Sequence, residues 1–334
     1  MGEKLRVAIW ESLVDKGIGG WLAPWQLKRM GRASRENTRL EKLALIHLEN
    51  EIKAIESGDK VFDVQTGRVL PSDAALIDDQ GRVEPYIDTQ KVVAGIMAQD
   101  TVRAIRSEIN VIKAAAFAED ILNQDENDSI PQQSIDNDWL LTWRDCASRV
   151  SSDELQQLWG KLLAGEFVSP GSFSLRTLEF IKNLSVADAH LIGRLAPFVF
   201  DSNKIAADKK EILEKAGLSF DDLLSLQDLS VLTGVIAPLI TIYKSTGGPV
   251  VISAQDKKLI FPDVKDGQVE YNVFILTKLG IELLSLSESV ADTEYLVAMA
   301  KDKISQGLQV RVVGNVIQDA GWGVKIEGFV DIFP

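Results

Sequence analysis

The sequence predicts a mainly α protein with minor antiparallel β structure, an α+β chain whose strands gather toward its C-terminal end. Two observations carry that expectation. Apolar residues recur at helical spacing through most of residues 1 to 203, while alternating, turn-bounded segments appear mainly after residue 204. At 334 residues and 46% hydrophobic content, the chain has material for two or three cored domains.

Leu5, Ile9, Trp10, Leu13 and Val14 mark a first helix, which Gly17, Gly19 and Gly20 interrupt. Leu40, Leu43, Ile46, Leu48, Ile52 and Ile55 give a long helix with a broad apolar face, stopped by Gly58-Asp59. Between Lys60 and Glu84, Val61, Val69 and Leu70 around Gly67 suggest one short hairpin within a loop. A second long helix is expected from Thr89 to Leu122, where Val92, Ile96, Val102, Ile105, Ile109 and Ile112 keep the period. Residues 119–138 then hold seven acidic side chains, no basic one and Pro131, the composition of a solvated linker.

Four short amphipathic helices follow. Asp138 is placed to cap the one carrying Trp139, Trp143 and Ala147. Ser151 with Glu154 reads as a capping box for Asp153 to Ala164, Ser172 or Ser174 opens the helix through Thr177 and Ile181, and Ser185 with Asp188 opens the last. Trp139, Trp143 and Trp159 are expected to form one aromatic core, and Glu166 and Arg176 to brace the intervening turn as a buried ion pair. Beyond Lys204 come helices at Asp208 to Ala216 and Phe220 to Leu232, then strands at Val250 to Ser253, Lys258 to Phe261 and Tyr271 to Leu276, with Asp266-Gly267 as a hairpin signal. Helices near Leu279 to Leu286 and Asp292 to Gln306 lead to a last hairpin, Gln309 to Val316 with Val324 to Phe333. The apolar run Leu229 to Tyr243, broken by Gly234 and Pro238, is too short to span a bilayer and reads as a buried element. The expected divisions are residues 1–58, 59–125, an acidic linker at 126–137, a short-helix domain at 138–203 and a winged-helix-like α+β domain at 204–334.

The net charge of −13 argues against a protein that coats nucleic acid, which needs clustered Lys and Arg. Cys146 is alone, so no intramolecular disulfide and no thiolate metal site can form, and the N-terminal residues do not read as a secretory signal. Together these point to the cytoplasm. His47 and His190 are far apart and read as structural. No Ser–His–Asp order, HExxH or phosphate-binding glycine loop stands out, so no catalytic residue, cofactor or metal is assigned.

One segment runs against the acidic background. Between Gly17 and Lys42, Ile18, Trp21, Leu22, Trp25 and Leu27 precede Lys28, Arg29, Arg32, Arg35, Arg39 and Lys42, six cations against Glu36 and Glu41. Tryptophan beside a cationic stripe suits a helix lying on an anionic membrane surface, which would place the protein peripherally at the inner membrane. It equally suits a helix docked on a protein partner or a second copy of the chain, a basic arm on nucleic acid, or a core helix with a solvated basic back.

Two stretches carry resemblances. Leu276-Thr277-Lys278-Leu279-Gly280, with Leu283 and Leu284 behind, is similar to the junction where the wing of many bacterial winged-helix regulators returns into a helix that Thr277 would cap. The presumed recognition helix holds Asp221, Asp222 and Asp228 without Lys or Arg, the wrong sign for phosphates. Leu158-Trp159-Gly160-Lys161-Leu162-Leu163-Ala164-Gly165-Glu166 and Ser169-Pro170-Gly171-Ser172-Phe173-Ser174-Leu175-Arg176-Thr177-Leu178 resemble a bacterial and prophage family known only as a domain of unknown function. That resemblance implies a mobile-element or phage-defence setting and supplies no catalytic residues. The Gly20-Trp21 and Pro24-Trp25 segment resembles abortive-infection proteins. The expected function is therefore a non-enzymatic interaction and assembly protein, with a membrane-surface effector using Gly17 to Lys42 as first alternative and a winged-helix transcriptional regulator as second.

Overall fold

The structure, a computed structural model, describes residues 8–10, 12–13, 47, 50–55, 57, 59–63, 68–71, 89–124, 133–245, 248–262, 264, 268–305, 308, 311–319 and 324–330. The mixture is the expected one, helices with small antiparallel sheets. The chain divides into two units, residues 1–172 and 173–334.

In the first unit, β1 (Lys60–Asp63) pairs antiparallel with β2 (Arg68–Pro71), the short hairpin expected there. Helices α1 (Thr89–Gln124), α2 (Asn137–Ala147) and α3 (Asp153–Val168) supply most of the core. Two caps differ from expectation. Asp136 rather than Asp138 accepts the Trp139 N–H (3.0 Å), and Ser152 rather than Ser151 accepts the Leu155 N–H (3.4 Å). Each helix begins immediately after its cap, and Asp138 and Ser151 miss the cap position by two residues and one.

Helix α3 lies directly on α1 because both faces are small. Ala114, Ala115 and Ala118 are fully buried on α1, and a side chain at Gly160 would stand 2.6 Å from Phe117 Cβ and 2.9 Å from the Ala114 carbonyl. The tryptophans fill the space beside this contact. Trp139, Trp143 and Trp159 are all buried, and the Trp143 indole donates to the Trp159 carbonyl at 2.9 Å. Burial of each ring contributes on the order of 2–3 kcal/mol of apolar transfer energy. Two charged groups inside this unit find partners. Glu119, expected among solvated carboxylates, is buried and accepts the Trp10 indole N–H at 3.0 Å, and Arg144 pairs with half-buried Glu108.

The second unit opens with α4 (Leu175–Lys182) and α5 (Val186–Leu195), the latter capped as expected by Ser185, which accepts the Asp188 N–H at 3.1 Å. Then come β3 (Lys204–Ala206), α6 (Lys210–Lys215), α7 (Phe220–Asp228), β4 (Leu232–Thr233), β5 (Leu239–Lys244), β6 (Val250–Ala254), β7 (Lys257–Phe261) and β8 (Gln268–Leu276). Helices α8 (Lys278–Leu284) and α9 (Thr293–Ser305) lead to β9 (Arg311–Asp319) and β10 (Val324–Val330). One sheet is organised on β8, which pairs antiparallel with β3, β4 and β5; the other runs β10-β9-β7-β6. The closing β9–β10 hairpin follows the sequence expectation.

Three expectations fail here for physical reasons. Asp266-Gly267 lies outside the described residues, and the strands on either side of it are not hairpin partners: β7 pairs with β6 and β9, while β8 belongs to the other sheet. The tight turn is instead Gln255-Asp256, with Gln255 held at φ +48° and Asp256 accepting the Ala291 N–H at 2.8 Å. Helix α7 ends at Asp228 rather than Leu232, because Ser230 adopts φ +60° and the Val231 N–H closes onto the Leu226 carbonyl. The run Leu229 to Tyr243 is not one buried element; it contains β4 and the largely exposed β5.

The Leu-Thr-x-x-Gly stretch has a steric explanation. The Thr277 hydroxyl accepts the Gly280 N–H at 3.1 Å and donates to the Ser230 carbonyl at 2.6 Å. The Val231 carbonyl oxygen sits only 2.1 Å from where a Cβ on residue 280 would stand, so that position admits glycine alone. Thr277 and Gly280 thus lock α8 against the end of α7 and the start of β4.

Candidate interaction surface

Strand β5 follows Pro238, a residue that sheets tolerate at strand starts and edges. Its register on β8 sets Ile240 opposite Asn272 and Ile242 opposite Glu270. Along β8 the polar residues Gln268, Glu270 and Asn272 are exposed, while Val269, Tyr271 and Val273 between them are buried. Ile240 and Ile242 therefore sit on the outward, polar face of the sheet, at 63% and 48% exposure. Leu239 on the other face is 55% exposed, and Ile236 just upstream 76%. A half-buried strand ordinarily alternates apolar and polar residues; β5 exposes apolar side chains on both faces, Leu239 on one and Ile240 and Ile242 on the other, and only β8 pairs with it among the described strands.

The inner face of this strand is anchored. Tyr243 donates its hydroxyl to Asp201, whose carboxylate also receives the Lys204 ammonium (3.3 Å) and the Ser253 N–H (3.2 Å). One carboxylate therefore ties β3, β5 and β6 together. Burial, followed by the Asp201 bond and charge, raises the Tyr243 pKa well above the ordinary phenol range. Burial raises Tyr271 and Tyr295 in the same direction, and the Tyr295 hydroxyl accepts the Ala206 N–H inside the core. Upstream, the Gln227 side chain accepts the Val235 N–H at 3.0 Å and fixes the approach to the strand. The surface is thus presented by a braced scaffold.

Behind the sheet lie two buried lysines. Lys209 pairs with Asp302, and the Lys303 ammonium lies 4.7 Å from the Tyr271 ring centroid. Desolvation lowers the pKa of both, opposed by the Asp208 carboxylate. A further buried charge closes α8 onto α4. Glu282 accepts the Ser174 N–H (2.8 Å), the Ser174 hydroxyl (3.0 Å) and the Thr177 hydroxyl. Ser174 is the N-cap residue expected from sequence, but Glu282 on another helix supplies the cap's acceptor.

The basic segment with Trp21, Trp25, Lys28, Arg29, Arg32, Arg35 and Arg39 lies outside the described residues. Glu166 is buried and accepts the Gly171 N–H at 2.6 Å, which braces the turn after α3, and Arg176 is exposed. His47 and His190 are both exposed; His47 lies 3.8 Å from Glu51. Among the described residues no group of three or more His, Cys, Asp or Glu could hold a metal, and no helix is long and apolar enough to cross a membrane.

Residues 101–300 match a family described as a protein of unknown function (DUF2806). The chain belongs to the DUF2806 family. No curated protein and no solved structure matches it. The DUF2806 match contains the α1–α3 contact at Gly160, the Thr277-Gly280 lock and strand β5, and stops short of the β9–β10 hairpin. Sequence reasoning missed β5 as a surface. The signal was present in Leu239-Ile240-Thr241-Ile242-Tyr243 behind a proline, a strand too apolar on both faces to be finished by one neighbour.

Proposed function

We propose that the protein is a non-enzymatic interaction and assembly protein that docks a second copy of itself along β5. The carrying observation is the braced strand whose outward isoleucines, Ile240 and Ile242, stand exposed among polar neighbours. Strand addition at an open edge takes affinity from backbone hydrogen bonds and selectivity from alternate side chains. Antiparallel pairing about Thr241 sets Ile240 of each copy opposite Ile242 of the other, so the edge is complementary to itself, as a two-fold interface requires. The mobile-element or defence setting implied by the family resemblance is the setting we assign to that assembly.

The order of elements supports a finer reading of the second unit as a winged helix. Helix α5, strand β3, helices α6 and α7, and strands β5 and β8 follow one another, with β8 between β3 and β5. The β6–β7 hairpin is inserted where a wing would lie. Helix α7 carries Asp221, Asp222 and Asp228 and no cation, which favours a protein contact over a DNA duplex. Sedimentation of the full chain tests the proposal. Ile240→Lys with Ile242→Lys is expected to convert a concentration-dependent dimer to monomer, and association unchanged by the pair of substitutions contradicts docking through β5.

A further inference from the structure

The first unit contains a cavity of about 280 Å³ that the interaction reading leaves unused. Its wall is a stripe of α1. Arg106, Ile109, Asn110 and Lys113 recur at i, i+3, i+4 and i+7, so one helical face turns two cations and one amide toward the same space. Lys53 adds a third cation from the helix that contains Ile52, and Ser151 adds a hydroxyl from the turn preceding α3. Asp153 is the one carboxylate in the lining. Three cations against one carboxylate is a local reversal in a chain of net charge −13.

The wall is held in place from behind. Asn110 is 3% exposed, donates to the Ser148 carbonyl at 2.8 Å and accepts from the fully buried Gln156 amide at 3.2 Å. The same Gln156 amide donates to the Val150 carbonyl at 3.1 Å. These bonds fix the chain between α2 and α3, and with it Ser151, against the cationic stripe. Ile52 and Ile109 are buried and give the cavity an apolar floor. A preformed recess with convergent cations, a hydroxyl donor and an apolar floor is complementary to an anion that carries an organic body.

We infer that this cavity is a binding site for a phosphate-bearing small molecule. Arg106 and Lys113 hold the phosphate, Ser151 donates a further hydrogen bond, and Ile52 and Ile109 pack against the organic part. The volume accommodates a ligand of mononucleotide or sugar-phosphate size and excludes a nucleic-acid duplex. The guanidinium of Arg106 suits two-point contact with phosphate oxygens, while the Lys113 ammonium acts as a point charge.

Isothermal titration of the full chain with adenosine monophosphate and, separately, with inorganic phosphate tests the site, at constant ionic strength set with chloride. Saturable binding of the mononucleotide is expected, with weaker binding of inorganic phosphate, which lacks a body to cover the floor. Arg106→Gln with Lys113→Gln is expected to weaken binding at least tenfold, and Arg103→Gln, an exposed cation elsewhere on α1, to leave it unchanged. Asp153→Asn removes the opposing charge and is expected to tighten binding severalfold, a change that structural damage would not produce. Equal binding of both probes would assign the site to free phosphate and overturn the mononucleotide-sized ligand. Absence of saturable binding, or binding indifferent to Arg106, Lys113 and Asp153, overturns the inference altogether.

Discussion

The two units close their cores by different means. In the first, helices near each other in sequence meet through small residues: Gly160 lies against Ala114 and Phe117, with buried tryptophans alongside. In the second, β8 gathers β3, β4 and β5 from up to 71 residues upstream, Ala206 pairing with Val273 and Lys204 with Ile275. The helical core is completed by its own neighbours. The sheet is completed on its buried face and leaves Ile240 and Ile242 exposed on β5, which is why the proposed docking surface is placed in the second unit.

A side chain at either critical glycine attacks these closures unequally. At Gly280 the added methyl would meet the Val231 backbone carbonyl at 2.1 Å, and backbone held by β4 pairing cannot step aside. Gly280→Ala is expected to destabilise the second unit by about 3 kcal/mol or more, as overpacking against a fixed group does. At Gly160 the closest obstacle is the Phe117 Cβ at 2.6 Å, on a helix that can shift as a body. Gly160→Ala is expected to cost about 1–3 kcal/mol. Urea unfolding, followed by near-ultraviolet tyrosine signal for the first variant and by emission of the buried tryptophans for the second, measures both. A larger loss at Gly160 than at Gly280 would reverse the comparison.

Alkaline titration gives a smaller effect confined to the second unit. Tyr243, Tyr271 and Tyr295 have folded pKa values raised above the ordinary phenol value near 10, chiefly by burial. A raised folded pKa contributes stability that is complete below the unfolded pKa and is lost as pH climbs toward the folded one. Lys209 and Lys303, with lowered folded pKa values, act with the opposite sign, since the unfolded chain binds their protons more tightly as pH rises toward the lysine range. Stability is therefore expected to fall above about pH 10 once phenol ionisation dominates. Phenolate absorbance from these three tyrosines is expected to appear together with unfolding. Phenolate formed stepwise in a still-folded chain would show that the rings are open to water.

The difference between the units also explains what could be read from sequence. Helix α1, the Ser185 cap, the Thr277 cap and the β9–β10 hairpin are written locally, in periodicity and turn residues a few positions apart. Strands β3 and β5 are not, because short segments acquire strand character only when β8 pairs with them. Asp266-Gly267 misled for the same reason: turn chemistry states that the chain can reverse, not which strands it joins. Glu282 illustrates the limit at the level of one side chain. A mid-helix glutamate looks solvated in sequence, yet it accepts from Ser174 and Thr177 more than one hundred residues away. The cationic cavity lies between these extremes. Arg106 and Lys113 stand seven residues apart and so share one face of α1, but only the fold brings Lys53 and Ser151 to the same cavity.

Hydrogen exchange of the full chain across a dilution series tests docking through β5 most directly. The amides of Leu239 to Lys244 that do not bond to β8 are expected to gain protection as concentration rises, while those of Val250 to Ala254 stay unchanged. Ile240→Lys with Ile242→Lys should abolish that gain. Association at high concentration without added protection along β5 would contradict the central claim and place the interface elsewhere.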